Sequence, residues 1–449
     1  MMLVGGLALS IKLSFAFDMA QAYQSALSYN ADYLAAIAKN KAGQEPEVQS
    51  RANLLPQLSA NTSLNENYFN SGMTFYYHQP TAGAQLQQTV FDFNKFSQYT
   101  KNKYSTVVAN LQLQNAKQQL IVTISQAYFD ILYAKDTLDA IITTKKSLDQ
   151  QLKQAKSAFD VGSVTIADVN DAQSAYDNAN AQEIQAQNDL INRKNIFRNL
   201  TGLNPDLIQP LIDSINLIEP EYNSADKWSE LASHDNLNIK IAQKQLEMAN
   251  QDVSIARSGH LPTVNVVGNY QYQGDVVLDA ADPGAMQFIS QNGVAGTPLS
   301  SYSNATVGLQ LSLPLYQGGA VNSQVRQAIA NYEQSQQQLV ATKRKADQDI
   351  KNAFWQVQNG ISLVKARTQA LKSAKIKLKS DQLGYKVGIR NSVDLVNSQK
   401  AYYQAMQDYN QSRYNYLINQ LQLEYLCGKI DEQYLKLINQ NIKNTSINW

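Results

Sequence analysis

Few residues in this chain of 449 could carry covalent chemistry. The one cysteine, Cys427, lies in an apolar-periodic segment with Leu421, Leu423 and Leu426, where a buried, inert thiol is expected. A single cysteine rules out an intrachain disulfide and any multi-cysteine metal site. His78, His234 and His260 are scattered, with no His-x-x-x-His spacing. No Gly-rich phosphate loop and no Gly-x-Ser-x-Gly elbow occurs. These absences argue against a hydrolase, kinase or dehydrogenase. An ordinary enzyme of these classes, or a cofactor or metal to serve one, is not expected.

Charge points the same way. The 38 Lys+Arg and 37 Asp+Glu leave a net +1, and charged residues are 17% of the chain. Nucleic-acid binding, which demands a clustered basic face, is not expected. Beyond residue 17 no run approaches the ~18–20 apolar residues of a membrane helix. Hydrophobic residues nevertheless reach 44%, and the polar remainder is rich in Gln and Asn alongside 25 Tyr. Residues 1–16 are apolar and end in small residues, which reads as a secretory signal cleaved after Ala16. No basic stretch precedes the run and Lys12 interrupts it, so the signal is either complete or truncated at its start. The alternative is a buried N-terminal segment.

The ten prolines mark out the elements. None lies between Pro80 and Pro205 or after Pro314, and long helices are possible only in such gaps. In the first gap Leu113, Leu120, Ala127, Ala134, Ile141, Leu148 and Ala155 are seven apart. Ile124, Ile131, Leu138, Leu152 and Phe159 form a second stripe, with Lys145 its one polar break. This spacing predicts coiled-coil packing. In the second gap Ile350, Val357, Val364, Leu371, Leu378 and Tyr385 repeat it, 226 positions on. The same shift carries Phe159-Asp160-Val161-Gly162 onto Tyr385-Lys386-Val387-Gly388 and Asp168 onto Asp394. Leu55-Pro56 matches Leu261-Pro262 at a shift of 206, so about 20 residues are inserted near 274–303, a Gly/Ser/Asp-rich stretch that reads as a long loop.

Between the helical blocks the period changes to two. Val264, Val266, Gly268, Tyr270 and Tyr272 alternate with polar residues, as do Ala305, Val307, Leu309 and Leu311. Residues 58–64 alternate likewise, and 84–93 more weakly. Strands of ~10 residues with one apolar and one polar face are the signature of an outer-membrane barrel; a half-exposed soluble sheet is the alternative. Four strands cannot close a barrel, and lipid forbids open edges. If they span a membrane, several chains must share one barrel.

Several segments in this order resemble the TolC family of outer-membrane efflux proteins over essentially the whole mature chain. They are Gly259-His260-Leu261-Pro262, Leu313-Pro314-Leu315-Tyr316-Gln317-Gly318-Gly319, Val321-Asn322-Ser323-Gln324-Val325 and 413–421. The resemblance implies a mixed fold, a membrane β-barrel plus a long α-helical coiled-coil barrel. It implies a homotrimer whose four strands per chain make a 12-stranded barrel in outer-membrane lipid, continuing into a periplasmic tunnel of 12 helices. Residues 1–16 would be the signal; 17–224 a first repeat, with strands about 57–70 and 82–93 and a helical hairpin about 95–200. Residues 225–428 would be the second, with strands about 262–274 and 302–316 and a hairpin about 319–427, and 429–449 an equatorial segment. Such proteins are exit ducts, docked through a periplasmic adaptor (membrane fusion) protein to an inner-membrane pump that supplies the energy.

The resemblance also assigns a site. Val161, Gly162, Ser163, Val387, Gly388 and Ile389 at the two helix–helix turns would form the adaptor-docking tip. Tyr385, Arg390 and Asp394 match positions that close the family's gate, with Asp168 the acceptor for Arg390. By charge pattern alone they would be ordinary solvated helix ends. Asn397 stands where close relatives place a second acid, and Ala167 where a Thr is expected before Asp168. Among other readings, a trimeric coiled-coil surface fibre would not explain the duplication, and a porin would need more strands per chain. A dedicated type I protein-secretion outlet would share every feature above.

Overall fold

The computed structural model describes residues 16–70, 74–212, 215–275, 277–279, 287, 291 and 300–442. The signal segment before Ala16, most of the expected 274–303 loop and the end of the 429–449 segment lie outside these residues. The helices are α1 (Met19–Tyr29), α2 (Ala31–Ala52), α3 (Phe93–Asp160), α4 (Ile166–Thr201), α5 (Ala225–Asp235), α6 (Leu237–Ser258), α7 (Ala320–Lys386), α8 (Ser392–Leu426) and α9 (Glu432–Asn439). The strands are β1 (Gln57–Asn70), β2 (Thr74–Phe91), β3 (Thr263–Gln273), β4 (Val277–Asp279) and β5 (Tyr302–Ser312).

The chain forms two compact units. One comprises Met1–Lys39, Leu111–Ile241 and Val340–Trp449; the other comprises Asn40–Asn110 and Ala242–Leu339. In the first, most of the heptad positions pack inward, though Phe159 at the end of α3 is exposed. Leu120, Ile124, Ala127, Ile131, Ala134, Leu148, Leu152 and Ala155 of α3 are buried, as are Ile350, Val357, Val364 and Leu378 of α7. At the bottom of the α3–α4 hairpin, Leu152 and Ala155 meet Val169 and Ala172, with Tyr176 alongside. Lys145, the break in the second stripe, bridges to α4 instead, with Nζ 2.6 Å from Glu183 and 3.0 Å from Asn180 Oδ1.

This unit's core also holds an aromatic cluster. Tyr128, Phe129 and Phe197 are fully buried, and Phe17 stacks on Phe197 with ring centres 5.9 Å apart. Tyr128 donates its hydroxyl to the Gln209 carbonyl at 2.8 Å, and Trp228 donates its indole N–H to Tyr222 at 2.9 Å. Cys427 is buried here, and burial pushes its thiol up to about 12. That matches the inert thiol expected from its apolar neighbours.

The other unit holds an antiparallel sheet of order β1-β2-β3-β5, with β4 paired to β2. The cross-strand rows separate by chemistry. Leu58, Leu86, Gly268 and Val307 form one row, and Ala60, Ala84, Tyr270 and Ala305 the next on that face. The opposite face carries Ser59, Gln85, Asn269 and Thr306, then Asn61, Gly83, Gln271 and Asn304. Every residue of β5 is exposed, on both faces.

Three strand expectations need correction. β2 begins at Thr74, well before 82, and runs through Pro80. The Pro80 carbonyl accepts the N–H of Gly274 at 2.8 Å. The missing proline donor therefore faces Gly274, just past the end of β3, and the pair keeps one bond of its two. β5 stops at Ser312 and not 316, because Pro314 cannot donate to a ladder. In the insertion, β4 pairs Val277–Asp279 with His78, Tyr77 and Tyr76, so part of the expected loop is strand.

Candidate functional site

The two helix–helix turns have the same backbone. At the first, Gly162 has φ 75°, its N–H bonds the Phe159 carbonyl at 2.8 Å, and the Ser163 N–H bonds that of Ala158 at 2.9 Å. At the second, Gly388 has φ 75°, its N–H bonds the Tyr385 carbonyl at 3.2 Å, and the Ile389 N–H bonds that of Gly384 at 2.8 Å. Both are Schellman ends, which require the left-handed conformation that glycine adopts without strain. The next helix is then capped by Thr165 or Asn391, whose side chains accept the N–H of Asp168 and Asp394 respectively. Apolar side chains project from both turns: Val161 is 78%, Val387 68% and Ile389 81% exposed.

Asp168 is folded back on its own turn. Its carboxylate accepts the Thr165 hydroxyl at 2.7 Å and the Thr165 N–H at 2.9 Å. These bonds, the hydroxyl first, hold its pKa below the usual carboxylate value. Ala167 offers no hydroxyl, but Thr165 supplies one two residues earlier.

Arg390 is held within its own hairpin. Its Nη1 lies 3.5 Å from Asp394 and its Nε 3.5 Å from Asp381. Asp381 is buried and also takes Lys377 Nζ at 2.7 Å, and Lys377 is the first cause of its lowered pKa. Tyr385 is half-buried and Asn397 exposed. Thus Tyr385, Arg390, Asp394 and Asn397 share the second hairpin end, while Asp168 caps the first.

The sequence does not single out Asp381 or Gly384. An i,i+4 Lys377–Asp381 pair ordinarily marks a solvated helix face, and nothing in the heptad indicates that this aspartate is buried. The one available signal was a glycine inside the last turn of a 67-residue helix.

The family model for outer membrane efflux proteins matches residues 22–203 and again 228–429. The two matches are displaced by 206 residues at their starts (228 − 22) and 226 at their ends (429 − 203). The chain is similar to the outer membrane protein TolC of Escherichia coli, with 32% identity over 446 residues, 97% of this chain and 87% of that one. It is also similar to the alkaline protease secretion protein AprF of Pseudomonas aeruginosa, with 25% identity covering 95% and 88%. Among solved structures, the CmeC outer membrane channel of Campylobacter jejuni superimposes with a TM-score of 0.77 at 17% identity, covering 98% and 95%. The open MtrE channel of Neisseria gonorrhoeae gives 0.70 at 18%, covering 92% and 90%. Duplicated helical hairpins, a two-faced sheet and a double match spanning both halves lead to one conclusion: the chain belongs to the outer membrane efflux protein family.

Proposed function

We propose that three copies of this chain share one outer-membrane barrel and one periplasmic tunnel, forming the exit duct of a tripartite export system. The carrying observation is the sheet: four long strands, one apolar and one polar face, β1 and β5 at its ends, and every residue of β5 exposed among the described residues. Pairing β1 of one copy with β5 of the next removes the open edges, turns the apolar rows to lipid and the polar rows to water. Residues 17–224 and 225–428 are the two repeats of this duct, and the described part of the last segment, 429–442, belongs to its equatorial belt.

The chain is an outer-membrane exit duct for efflux and type I secretion; its relatives include one named for outer-membrane efflux and one named for protease secretion. An inner-membrane pump and a periplasmic adaptor are its proposed partners, the adaptor docking on Val161, Gly162, Ser163, Val387, Gly388 and Ile389. Deleting the gene is expected to raise susceptibility to hydrophobic dyes and detergents and to deplete secreted proteins from the medium. Unchanged susceptibility would remove the efflux half of the reading; an unchanged secretome would remove the secretion half.

The gate is formed by Asp168, Tyr385, Arg390, Asp394 and Asn397, with Arg390 reaching Asp168 of a neighbouring coiled coil in the closed duct. An exposed pair of this type is worth only ~0–1 kcal/mol, a latch weak enough to open. With Asn397 uncharged, Asp394 supplies one carboxylate ring at the constriction. Asp394→Ala is therefore expected to reduce cation selectivity toward unity in planar bilayers. Equal cation/anion permeability ratios before and after the substitution would place Asp394 outside the constriction.

A further inference from the structure

We propose that Gly384 and Asp381 form a seat that fixes the side chain of Arg390, making both of them positioning residues for the gate arginine. This rests on the gate reading of Arg390 given above.

Glycine is the poorest helix former after proline, and Gly384 lies inside the last turn of α7. Unlike Gly388, it is not among the glycines with positive φ, so the turn does not require it. Its missing side chain is where Arg390 lies. A Cβ built at Gly384 would sit 2.7 Å from Cγ of Arg390 and 3.4 Å from its Cβ. The Gly384 carbonyl also accepts the N–H groups of Ile389 at 2.8 Å and Arg390 at 3.2 Å. The glycine thus forms the floor under the arginine stem and anchors the backbone from which that stem leaves.

Asp381, one helical turn earlier, forms the wall. Its side chain is 6% exposed and Arg390's is 54%. One carboxylate oxygen is 3.5 Å from Arg390 Nε, and the other holds Lys377 Nζ at 2.7 Å. Asp394, from α8, meets the guanidinium at Nη1. Carboxylates from two helices therefore bracket one planar fork. A guanidinium has five N–H donors, so capacity is left for a third carboxylate from outside the hairpin. A long, flexible side chain would otherwise lose rotamer freedom each time the latch closed; holding it in one rotamer beforehand removes most of that cost.

The test is single-channel conductance of the full-length protein in planar bilayers, for Arg390→Ala, Gly384→Ala, Asp381→Asn and the Asp381→Asn/Arg390→Ala double variant. Arg390→Ala is expected to raise closed-state conductance. Gly384→Ala and Asp381→Asn are each expected to give about a third or more of that rise, and the double variant to match Arg390→Ala alone, because both residues act through the arginine. If Arg390→Ala leaves conductance unchanged, the gate reading fails and the seat with it. If Arg390→Ala opens the channel while Gly384→Ala and Asp381→Asn behave as wild type, the seat alone is overturned. Additive changes in the double variant would overturn it too, since Asp381 would then act independently of Arg390. Should Gly384→Ala fail to assemble, the near-isosteric Asp381→Asn carries the test.

Discussion

Val307→Arg is expected to abolish insertion of the protein into the outer membrane, whereas Thr306→Arg, one residue away, leaves insertion intact. Both residues lie at the centre of β5, and both are exposed in the single chain. They differ in the face they occupy. Val307 ends the row Leu58–Leu86–Gly268, and Thr306 ends the row Ser59–Gln85–Asn269. An arginine on the lipid face at mid-depth costs about 2–4 kcal/mol per chain. Three copies in one barrel would raise that to about 6–12 kcal/mol, comparable with the whole stability of an ordinary domain. On the water-filled side the same side chain is solvated and changes ion flow instead. Heat-resistant oligomer on gels and outer-membrane fractionation measure the difference. Equal losses for the two variants would mean that the sheet does not separate lipid from water. Equal tolerance would mean the same.

Legibility in the sequence followed the range of the interaction. Heptads showed in the sequence because burial along one helix repeats every seven residues, and Leu120, Ala127, Ala134 and Leu148 are buried accordingly. The turn glycines showed because a left-handed residue at a helix end leaves few alternatives to Gly162 and Gly388. Strand faces showed through their alternation, but register did not: that Leu86 lies between Leu58 and Gly268 depends on how three separate segments slide past one another. The start of β2 is hidden by Pro80, whose missing donor falls beside Gly274 at the end of β3, where the ladder is already ending. Lys145 looked like a defect in its stripe until Glu183, 38 positions on (183 − 145), was placed opposite it. At the tip, the resemblance singled out Arg390 and its acids, but the burial of Asp381 depends on the packing of α7 with α8. A single-helix pattern cannot encode that.

Gly428→Ala is expected to destabilise the protein far more than Gly388→Ala, although the two glycines share one backbone conformation, with φ of 69° and 75°. Each ends a helix in the same way. The Gly428 N–H bonds the Tyr425 carbonyl at 2.9 Å and the Lys429 N–H bonds that of Glu424 at 3.0 Å, repeating the pattern at Gly388. The strain of placing alanine in this conformation is therefore common to both, at about 1 kcal/mol. Their surroundings differ. Around Gly388 an added Cβ meets nothing within 4 Å. At Gly428 it would collide with the Asp235 carbonyl oxygen and come within 3.1 Å of its carbonyl carbon. Backbone at the end of α5 cannot swing aside as a side chain can, and forcing it adds about 1–3 kcal/mol of overpacking. The Gly428 carbonyl also accepts Gln118 Nε2 at 2.8 Å, so the displacement would reach α3. Denaturant midpoints of the two purified variants should therefore differ by roughly 1–3 kcal/mol once multiplied by the m-value. Equal midpoints would show that α5 yields to the new methyl group and that conformational strain alone sets the cost at both helix ends.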